Sequence, residues 1–526
     1  MTATEYRRVA SLADLRNAGR KIIRDGDKQI ALFVVGDRVL ACNNRCPHEG
    51  YPLSEGTMGT NCVLTCNWHN WKFDLESGET LVGGDALRRY PVRIDGDDVL
   101  LDLADPPTAE IVTKALDGLA DAFDRHEYDR MAREIARIAR AGGDILEAVR
   151  EAIRRRHDHF EFGTSHAFAA APDWLALAAT APDDSVRQVA AMTEIAGHIA
   201  WDTRFCPTYP YPEGSQAWSA DGFVAAIEAE DEATAMRMLR GALAQGLGFA
   251  DIAPAFYRAA LAHYQDFGHA LIYSVKAGEL IEKLGDGIAE PLLLALTRSL
   301  VYATREDLIP EFRAYRPALE SWVSGDGPAP AAEELRRESV AGVLNRLAGS
   351  GGQPEAIYDS LLESAAWQML HFDVAIQDRT DAPVGSNVNW LDFTHAITFA
   401  NAVRIACRSC PDLWPAGLLQ IGCFLGRNSG HLDTEQDTAR WQVADPAGFY
   451  DEKLESLFDH AQPEYIVSAH LVKLLTAAKI ETGARPGRPW APVLAASVNR
   501  FLGEPLKRKH VLRTARQAIG FVAREG

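Results

Sequence analysis

The chain has little cysteine, no long apolar run and no excess of positive charge. Its eight cysteines, in 526 residues, are too sparse for a disulfide-stabilised fold. No stretch approaches the roughly 18 uninterrupted apolar residues of a membrane-spanning helix. The N-terminal segment MTATEYRRVASLADLRNAGRK lacks the apolar core of a secretory signal. These features predict a cytoplasmic protein in a reducing compartment, without a membrane segment.

The absence of three further sequence features excludes or disfavours particular classes of function. The formal net charge of −19 argues against nucleic acid as a partner, because phosphate binding needs a basic surface. No Gly-x-Gly-x-x-Gly follows a predicted strand, so the chain has no recognisable site for a nicotinamide cofactor of its own. No Glu-x-x-His pair occurs, which disfavours a carboxylate-bridged di-iron bundle.

What is present divides into two parts. In residues 1–104, short apolar runs alternate with Gly, Asp and Pro turns, a pattern typical of strands, and "GDR" (36–38) and "DGDD" (95–98) predict hairpin turns. In residues 105–526, apolar residues recur at helical spacing, and two sub-bundles divided near 325–355 are an option. The predicted fold class is multidomain α+β, with a small all-β domain followed by a large all-α domain.

Two stretches of the first domain pair cysteine with histidine. "RCPHEGYPLSEG" (45–56) offers Cys46 and His48, and "LTCNWHNWKFD" (64–74) offers Cys66 and His69. Zinc and an iron–sulfur cluster are the two alternatives. A zinc finger usually places its histidines together on one helix, whereas a [2Fe–2S] centre with two thiolates and two imidazoles suits two loops that supply one of each.

Both stretches resemble the cluster-binding loops of the Rieske ferredoxin family, over roughly residues 5–103. The resemblance implies a Rieske [2Fe–2S] cluster with Cys46 and Cys66 on one iron and His48 and His69 on the other. High-potential Rieske proteins carry an extra disulfide whose first cysteine falls where this chain has Tyr51. The resemblance therefore favours the low-potential ferredoxin branch, which feeds electrons to oxygenases.

Four histidines of the helical part share a local pattern. "TSHAFAAA", "FGHALIYS", "FTHAITFA" and "SAHLVKLL" place His166, His269, His395 and His470 after a small or hydroxyl residue and before a small or apolar run. A lone histidine on an apolar helix is more often an ordinary core residue. Four such histidines downstream of an electron donor favour a metal site inside a bundle.

The motifs "HDHFEFGTSHAFAAA", "GHALIYSVKAGE", "FTHAITFA" and "AHLVKLLTAA" resemble the questin-oxidase-like family of non-haem iron oxygenases. Members of that family oxidise aromatic polyketides and hold iron with four histidines and a carbamylated lysine. The resemblance implies a non-haem iron held by His166, His269, His395, His470 and Lys473, although His159 competes with His166 for its position. The fused Rieske domain is a departure from the family's fungal members.

The sequence thus predicts an oxidoreductase, namely an iron-dependent oxygenase. The Rieske cluster would pass electrons to the histidine-ligated iron, which would use O₂ to oxidise an organic, aromatic or polyketide-like substrate. An NAD(P)H-dependent reductase or a ferredoxin is the expected electron donor, and a homo-oligomer is left open. The alternative is a Rieske electron-transfer protein whose helical domain is a metal-free docking or scaffold module.

Overall fold

A computed structural model describes residues 6–506 and 509–525. The chain divides into two compact units, residues 1–151 and residues 152–526. The predicted fold class is confirmed: a small β domain is followed by a large helical region. Among the described residues, none of the helices is both long and apolar enough to cross a bilayer.

In the described part of the chain, the strands all lie in the first unit and form three small antiparallel sheets. They are β1 (Tyr6–Ser11), β2 (Arg20–Asp25), β3 (Lys28–Val35), β4 (Arg38–Asn43), β5 (Thr57–Met58), β6 (Val63–Thr65), β7 (Lys72–Asp74), β8 (Thr80–Val82), β9 (Val92–Asp95) and β10 (Asp98–Asp102). The strand orders are β1-β10-β9, β2-β3-β4 and β5-β6-β7-β8. Two adjoining apolar clusters fill this domain, and one of them contains Cys46 and Cys66.

Tight Gly-Asp turns join several strands. Val35 pairs with Arg38 across Gly36, and Asp95 pairs with Asp98 across Gly96, as the hairpin prediction requires. Both glycines have a φ of 61°, a left-handed conformation that side chains with a Cβ rarely adopt. The turn residues therefore set the strand register.

The first unit also contains helices. They are α1 (Leu12–Ala18), α2 (Thr108–Phe123), α3 (Tyr128–Arg140) and α4 (Leu146–Arg156), of which the last crosses the boundary between the units. Helices α2 and α3 pack on each other through buried residues such as Leu119, Phe123 and Ile135. The compact unit thus extends beyond the strands to include these two helices.

The second unit is helical. Its helices are α5 (His166–Ala178), α6 (Ser185–Thr203), α7 (Ala220–Glu228), α8 (Glu232–Ala244), α9 (Phe249–Leu261), α10 (His269–Leu284), α11 (Ala289–Val301), α12 (Tyr315–Glu320), α13 (Ala332–Leu335), α14 (Val340–Ala348), α15 (Pro354–Leu370), α16 (Ala375–Asp378), α17 (Trp390–Ser409), α18 (Trp414–Asn428), α19 (Pro446–Ser456), α20 (Tyr465–Ala484), α21 (Trp490–Gly503) and α22 (Val511–Val522). Short 3-10 turns join several of them.

Helices α5, α10, α17 and α20 form the centre of this unit. Each is buried on most of its circumference, which explains why its sequence is apolar on several faces instead of one. Helix α10 packs against α5 and α17, and α20 packs against the same two helices. Small residues such as Ala167, Ala270 and Ala396 line these contacts and let the helices approach closely. The four histidines singled out by the sequence lie on these four helices.

Candidate metal centres

The two Cys-x-His loops of the first unit have the same backbone hydrogen-bond pattern. The Cys46 N–H donates to the Tyr51 carbonyl, and the Cys66 N–H donates to the Trp71 carbonyl, both at 2.8 Å. The residue four positions after each cysteine, Gly50 or Asn70, donates its backbone N–H to the carbonyl of that cysteine. That residue is left-handed in both loops, with a φ of 75° at Gly50 and 59° at Asn70, residue types that tolerate this conformation. Each loop therefore presents its cysteine and histidine on one side.

The predicted cluster ligands come together at the tips of these loops. His48 Nδ1 lies 3.1 Å from His69 Nδ1, and both rings are partly exposed. Cys46 and Cys66 are buried neighbours. Burial raises the pKa of the Cys46 thiol to about 11, so a thiolate there needs a cation to offset its charge. Paired thiols and paired imidazoles are the donor set that a Rieske cluster takes.

Aromatic side chains and one carboxylate surround the two imidazoles. The Trp71 ring stacks on His48 with centroids 4.7 Å apart, and the Trp68 ring stacks on His69 at 5.4 Å. Glu49 also approaches the two imidazoles, at 3.8 to 3.9 Å, but its carboxylate is exposed. Sequence reasoning missed Glu49, because nothing distinguishes it from an ordinary surface acid.

The structure brings all four predicted histidines of the second unit together. Their Nε2 atoms form three consecutive close contacts, and we call the four residues the four-histidine cluster. The neighbouring Nε2 distances are 3.2 Å for His166–His269, 2.9 Å for His269–His395 and 3.4 Å for His395–His470. The ring centroids of His166 and His470 are 4.8 Å apart, whereas those of His166 and His395 are 6.2 Å apart.

Hydrogen bonds on the far side fix the tautomer of three of these rings. In each, Nδ1 lies at hydrogen-bond distance from a main-chain carbonyl, in the pairs His269–Asp266 (2.7 Å), His395–Leu391 (2.5 Å) and His470–Ile466 (2.6 Å). A carbonyl only accepts, so the hydrogen is on Nδ1 and Nε2 keeps a lone pair. The fourth ring, His166, has its Nδ1 3.1 Å from the Tyr273 hydroxyl. This is the outer-shell arrangement that orients metal-binding histidines.

The Nε2 spacing fits a shared metal ion. Ligand nitrogens about 2.1 Å from one ion are about 3.0 Å apart at a right angle and about 3.4 Å apart at the tetrahedral angle. The three neighbouring distances of 2.9 to 3.4 Å span that range, and the ligand atoms of His166, His269 and His395 all lie within 4.8 Å of one another. Burial lowers the pKa of His269 to about 3 and those of the other three histidines well below their usual range, so the cluster is neutral at pH 7. Neutral lone pairs held this close repel one another unless a cation binds them.

Local sequence explains how His269 reaches the cluster. Asp266, Phe267 and Gly268 have consecutive positive φ angles of 47°, 49° and 77°, which turn the chain sharply into α10. A Cβ on Gly268 would lie 2.7 Å from the Phe399 ring, so only glycine fits there. Glu306 accepts the Phe267 N–H at 2.8 Å and holds the turn. Non-glycine residues in this conformation are strained, and such strain is common at functional sites.

Lys473 lies one turn after His470 on α20, and its side chain is 1% exposed. Its Nζ has no hydrogen-bond partner among the described residues. Burial lowers the pKa of Lys473 to about 7, so a large fraction is the neutral amine at physiological pH. A neutral buried amine beside four imidazoles is the state that can react with CO₂ or bind a metal.

A second buried lysine has partners. Lys276 Nζ lies 2.8 Å from Asp173 Oδ1 and 2.8 Å from Glu279 Oε2. Asp173 follows His166 by seven residues on α5, and Lys276 follows His269 by the same interval on α10. Two helical turns thus separate the histidine layer from a charged layer. Sequence reasoning missed these residues and Tyr273, although the seven- and four-residue spacings were a usable signal.

His159, the alternative to His166 as a ligand, lies outside the four-histidine cluster. His159 Nδ1 is 3.0 Å from the Cys206 carbonyl, whereas His166 belongs to the four-histidine cluster. His198, His263 and His371 have partners of their own, namely Asp202, Glu228 and the Trp367 carbonyl. Among the described residues, groups of three or more metal-ligating side chains occur only at His166–His269–His395 and at His48–Glu49–His69.

The N-terminal unit has known relatives. The family model of the Rieske [2Fe-2S] domain matches residues 5–90. The 3-phenylpropionate/cinnamic acid dioxygenase ferredoxin subunits of Shigella boydii serotype 4 (strain Sb227) and Escherichia coli (strain K12) are each 36% identical over 87 residues, 16% of this chain and 82% of theirs. The ferredoxin of carbazole 1,9a-dioxygenase from Nocardioides aromaticivorans IC177 is 26% identical in sequence, with a TM-score of 0.18 over 18% of this chain and 95% of that one.

The chain therefore belongs to the Rieske [2Fe-2S] family through its N-terminal domain. This confirms the Rieske prediction and the iron–sulfur class of the first centre. The resemblance of residues 157–480 to questin-oxidase-like oxygenases stays a prediction, as do the individual ligand assignments.

Proposed function

We propose that the protein is a Rieske-dependent non-haem iron oxygenase. Electrons from the [2Fe–2S] cluster would reach an iron held by His166, His269, His395 and His470. An iron in such a site supplies the binding and activation of O₂, which then oxidises an organic, aromatic or polyketide-like substrate. The observation that carries the proposal is the row of four close Nε2 atoms, three of them with lone pairs fixed by their Nδ1 hydrogen bonds, inside a neutral and largely buried site.

Several features of the chain support a metal in this position. Three main-chain carbonyls and the Tyr273 hydroxyl orient the imidazoles before any metal binds, which lowers the ordering cost. The four surrounding helices limit the access of water, since His395 and His470 are buried and His166 and His269 are only partly exposed. Limited access of water strengthens electrostatic contacts in the site.

We further propose that Lys473 is a fifth ligand in carbamylated form. Its neutral amine would attack CO₂, forming an N–C bond and releasing one proton, and the product carries a carboxylate-like anion. The unpartnered Nζ and the lowered pKa of Lys473 support this reaction. The new anion would offset part of the charge of a bound iron, as the carboxylate does in two-histidine, one-carboxylate sites.

The proposal implies partners outside this chain. A reductase that uses NAD(P)H, or a ferredoxin, would reduce the Rieske cluster, and O₂ and a small organic molecule would enter the helical unit. Nucleic acid remains disfavoured by the charge of −19. None of the eight cysteines forms a disulfide, which supports the cytoplasm as the compartment. A homo-oligomer, and electron transfer within or between its chains, both remain compatible with the proposal.

The second candidate function is electron transfer alone. In that case the helical unit would be a metal-free docking or scaffold module for an oxygenase partner. The relatives favour this alternative, because those with 36% identity are named ferredoxin subunits. It requires the four imidazoles to remain together without a cation, which the facing lone pairs of His269, His395 and His470 oppose.

Iron and acid-labile sulfide, measured on the same purified full-length protein, separate the two functions. A [2Fe–2S] cluster contributes two irons and two sulfides. The oxygenase proposal predicts about three irons per two sulfides, falling to about two in His395→Ala and His470→Ala. His263→Ala is the matched control, because this buried histidine has its own partner and should leave the ratio unchanged. A wild-type ratio of one iron per sulfide would support the electron carrier instead.

A further inference from the structure

We propose that Asp85 and the arginines of α3 form a brace that positions Trp71 against His48, and so helps to set the reduction potential of the Rieske cluster. We call Asp85, Arg133 and Arg137 the brace. It lies within the first unit and does not depend on the proposed second iron. The family match ends at residue 90, so α3 is an addition of this chain to the Rieske fold.

The brace is a buried, fully paired carboxylate. Asp85 is 0% exposed, and its two oxygens accept from Arg133 at 2.9 and 2.7 Å and from Arg137 at 2.7 Å. Burial disfavours the carboxylate, but the two guanidinium groups outweigh it and lower the pKa of Asp85. Paired hydrogen bonds between arginine and carboxylate have a defined geometry, so this contact fixes the loop before β9 on α3.

The same loop lies in close contact with the Trp71 ring. Gly83 has a φ of 124°, and a Cβ there would lie 2.3 Å from the Trp71 indole. Gly84 lies close to α3, since a Cβ there would lie 3.1 Å from the Arg130 guanidinium. The indole also stacks on His48, nearly parallel at 13°. The chain of contacts runs from α3 through Asp85 and Gly83 to Trp71 and then to the predicted ligand.

This contact chain bears on electron transfer because the stacked indole shields one face of His48 from water. Reduction adds a negative charge to the cluster, and water stabilises that charge. Solvent exposure is one of the factors that set the potential of an iron–sulfur cluster. Loosening the brace should therefore let water reach the ligand ring and raise the midpoint potential.

An electrostatic role and a positioning role of Arg133 predict opposite changes in the reduction potential of Arg133→Gln. Arg133→Gln removes a positive charge, which by itself would disfavour the reduced cluster and lower the potential. If Arg133 acts by positioning, the same change loosens Trp71 and raises the potential. Gly83→Ala displaces the indole without altering any charge. Asp85→Asn raises the potential on either account and serves to confirm the size of the effect.

The experiment is a redox titration of the full-length protein followed by EPR of the reduced cluster. We expect Gly83→Ala and Arg133→Gln each to raise the equilibrium constant for reduction at least threefold, about 28 mV at about 59 mV per tenfold. Both should also shift the EPR g-values. Arg7→Gln, at a surface pair with Asp25, is the matched control and should change neither. A lowered potential in Arg133→Gln, or wild-type g-values in Gly83→Ala, would overturn the proposal.

Discussion

Replacing Lys473 by methionine should stabilise the metal-free protein, although it removes a polar group from the centre of the helical unit. The Nζ of Lys473 is fully buried and has no hydrogen-bond partner among the described residues. An ammonium there loses its hydration and gains no counter-ion in contact with it. A methionine of similar length fills the space without that cost.

The magnitude follows from the pKa of Lys473, which burial lowers from 10.5 to about 7. Between pH 7 and pH 10.5 the unfolded chain holds a proton that the folded chain lacks, so the free energy of unfolding rises as the pH rises. Below pH 7 both states hold the proton and the whole penalty is present. A pKa difference of about 3.5 corresponds to about 5 kcal/mol at about 1.4 kcal/mol per pH unit. We therefore expect Lys473→Met to gain about 3–5 kcal/mol at pH 7.

Lys276 provides a matched control of opposite sign. It is also buried, but its ammonium is paired with Asp173 and Glu279. Lys276→Met leaves a buried carboxylate without its cation, which typically costs about 3–5 kcal/mol. Two substitutions with the same chemistry should thus move stability in opposite directions.

The assay is urea unfolding of chelator-treated protein in CO₂-free buffer, followed by circular dichroism at 222 nm from pH 6.5 to 10. Wild type should become more stable as the pH rises above 7, and Lys473→Met should show a much weaker rise. If Lys473→Met destabilises the protein as much as Lys276→Met does, the Lys473 ammonium has a partner and the reasoning is wrong.

Three further outcomes are expected. Tyr273→Phe removes the hydroxyl that lies beside His166 Nδ1, so the affinity for cobalt, measured by competition titration, should fall about tenfold or more. An unchanged cobalt affinity would contradict a role of Tyr273 in orienting His166. Gly268→Ala adds a Cβ 2.7 Å from a neighbouring ring at a φ of 77°, so it should lower stability by about 1–3 kcal/mol and reduce cobalt content; a wild-type melting curve would refute the strain. Asn70→Val should reduce the visible iron–sulfur absorbance per protein while Asn70→Gly preserves it, because a β-branched residue disfavours a φ of 59°; equal absorbance would show that the loop tolerates other conformations.

The sequence was informative where function depends on local spacing. Cys46–His48 and Cys66–His69 lie on short loops whose turns are encoded within five residues, and Gly36 and Gly96 mark their hairpins directly. The four histidines were found because each needs small neighbours to lie between close helices. These local patterns can be recognised in the sequence without knowing which helices or strands pack against one another.

Contacts between distant elements were not predictable from one sequence. Asp173 and Lys276 look like ordinary surface charges until α5 and α10 pack together and bury them. The motif alone does not decide between His159 and His166, because His159 lies only seven residues before His166, the first residue of α5. Asp85 pairs with Arg133 and Arg137, which follow it by 48 and 52 positions, and no local sequence pattern predicts these contacts.

Cobalt K-edge X-ray absorption on cobalt-loaded, full-length protein tests the central claim most directly, since cobalt is distinguished from the cluster iron. The account predicts one cobalt per chain with about four imidazole nitrogens at about 2.1 Å, reduced by one in His395→Ala. A protein that binds no cobalt, or binds it through two or fewer imidazoles, would contradict the account.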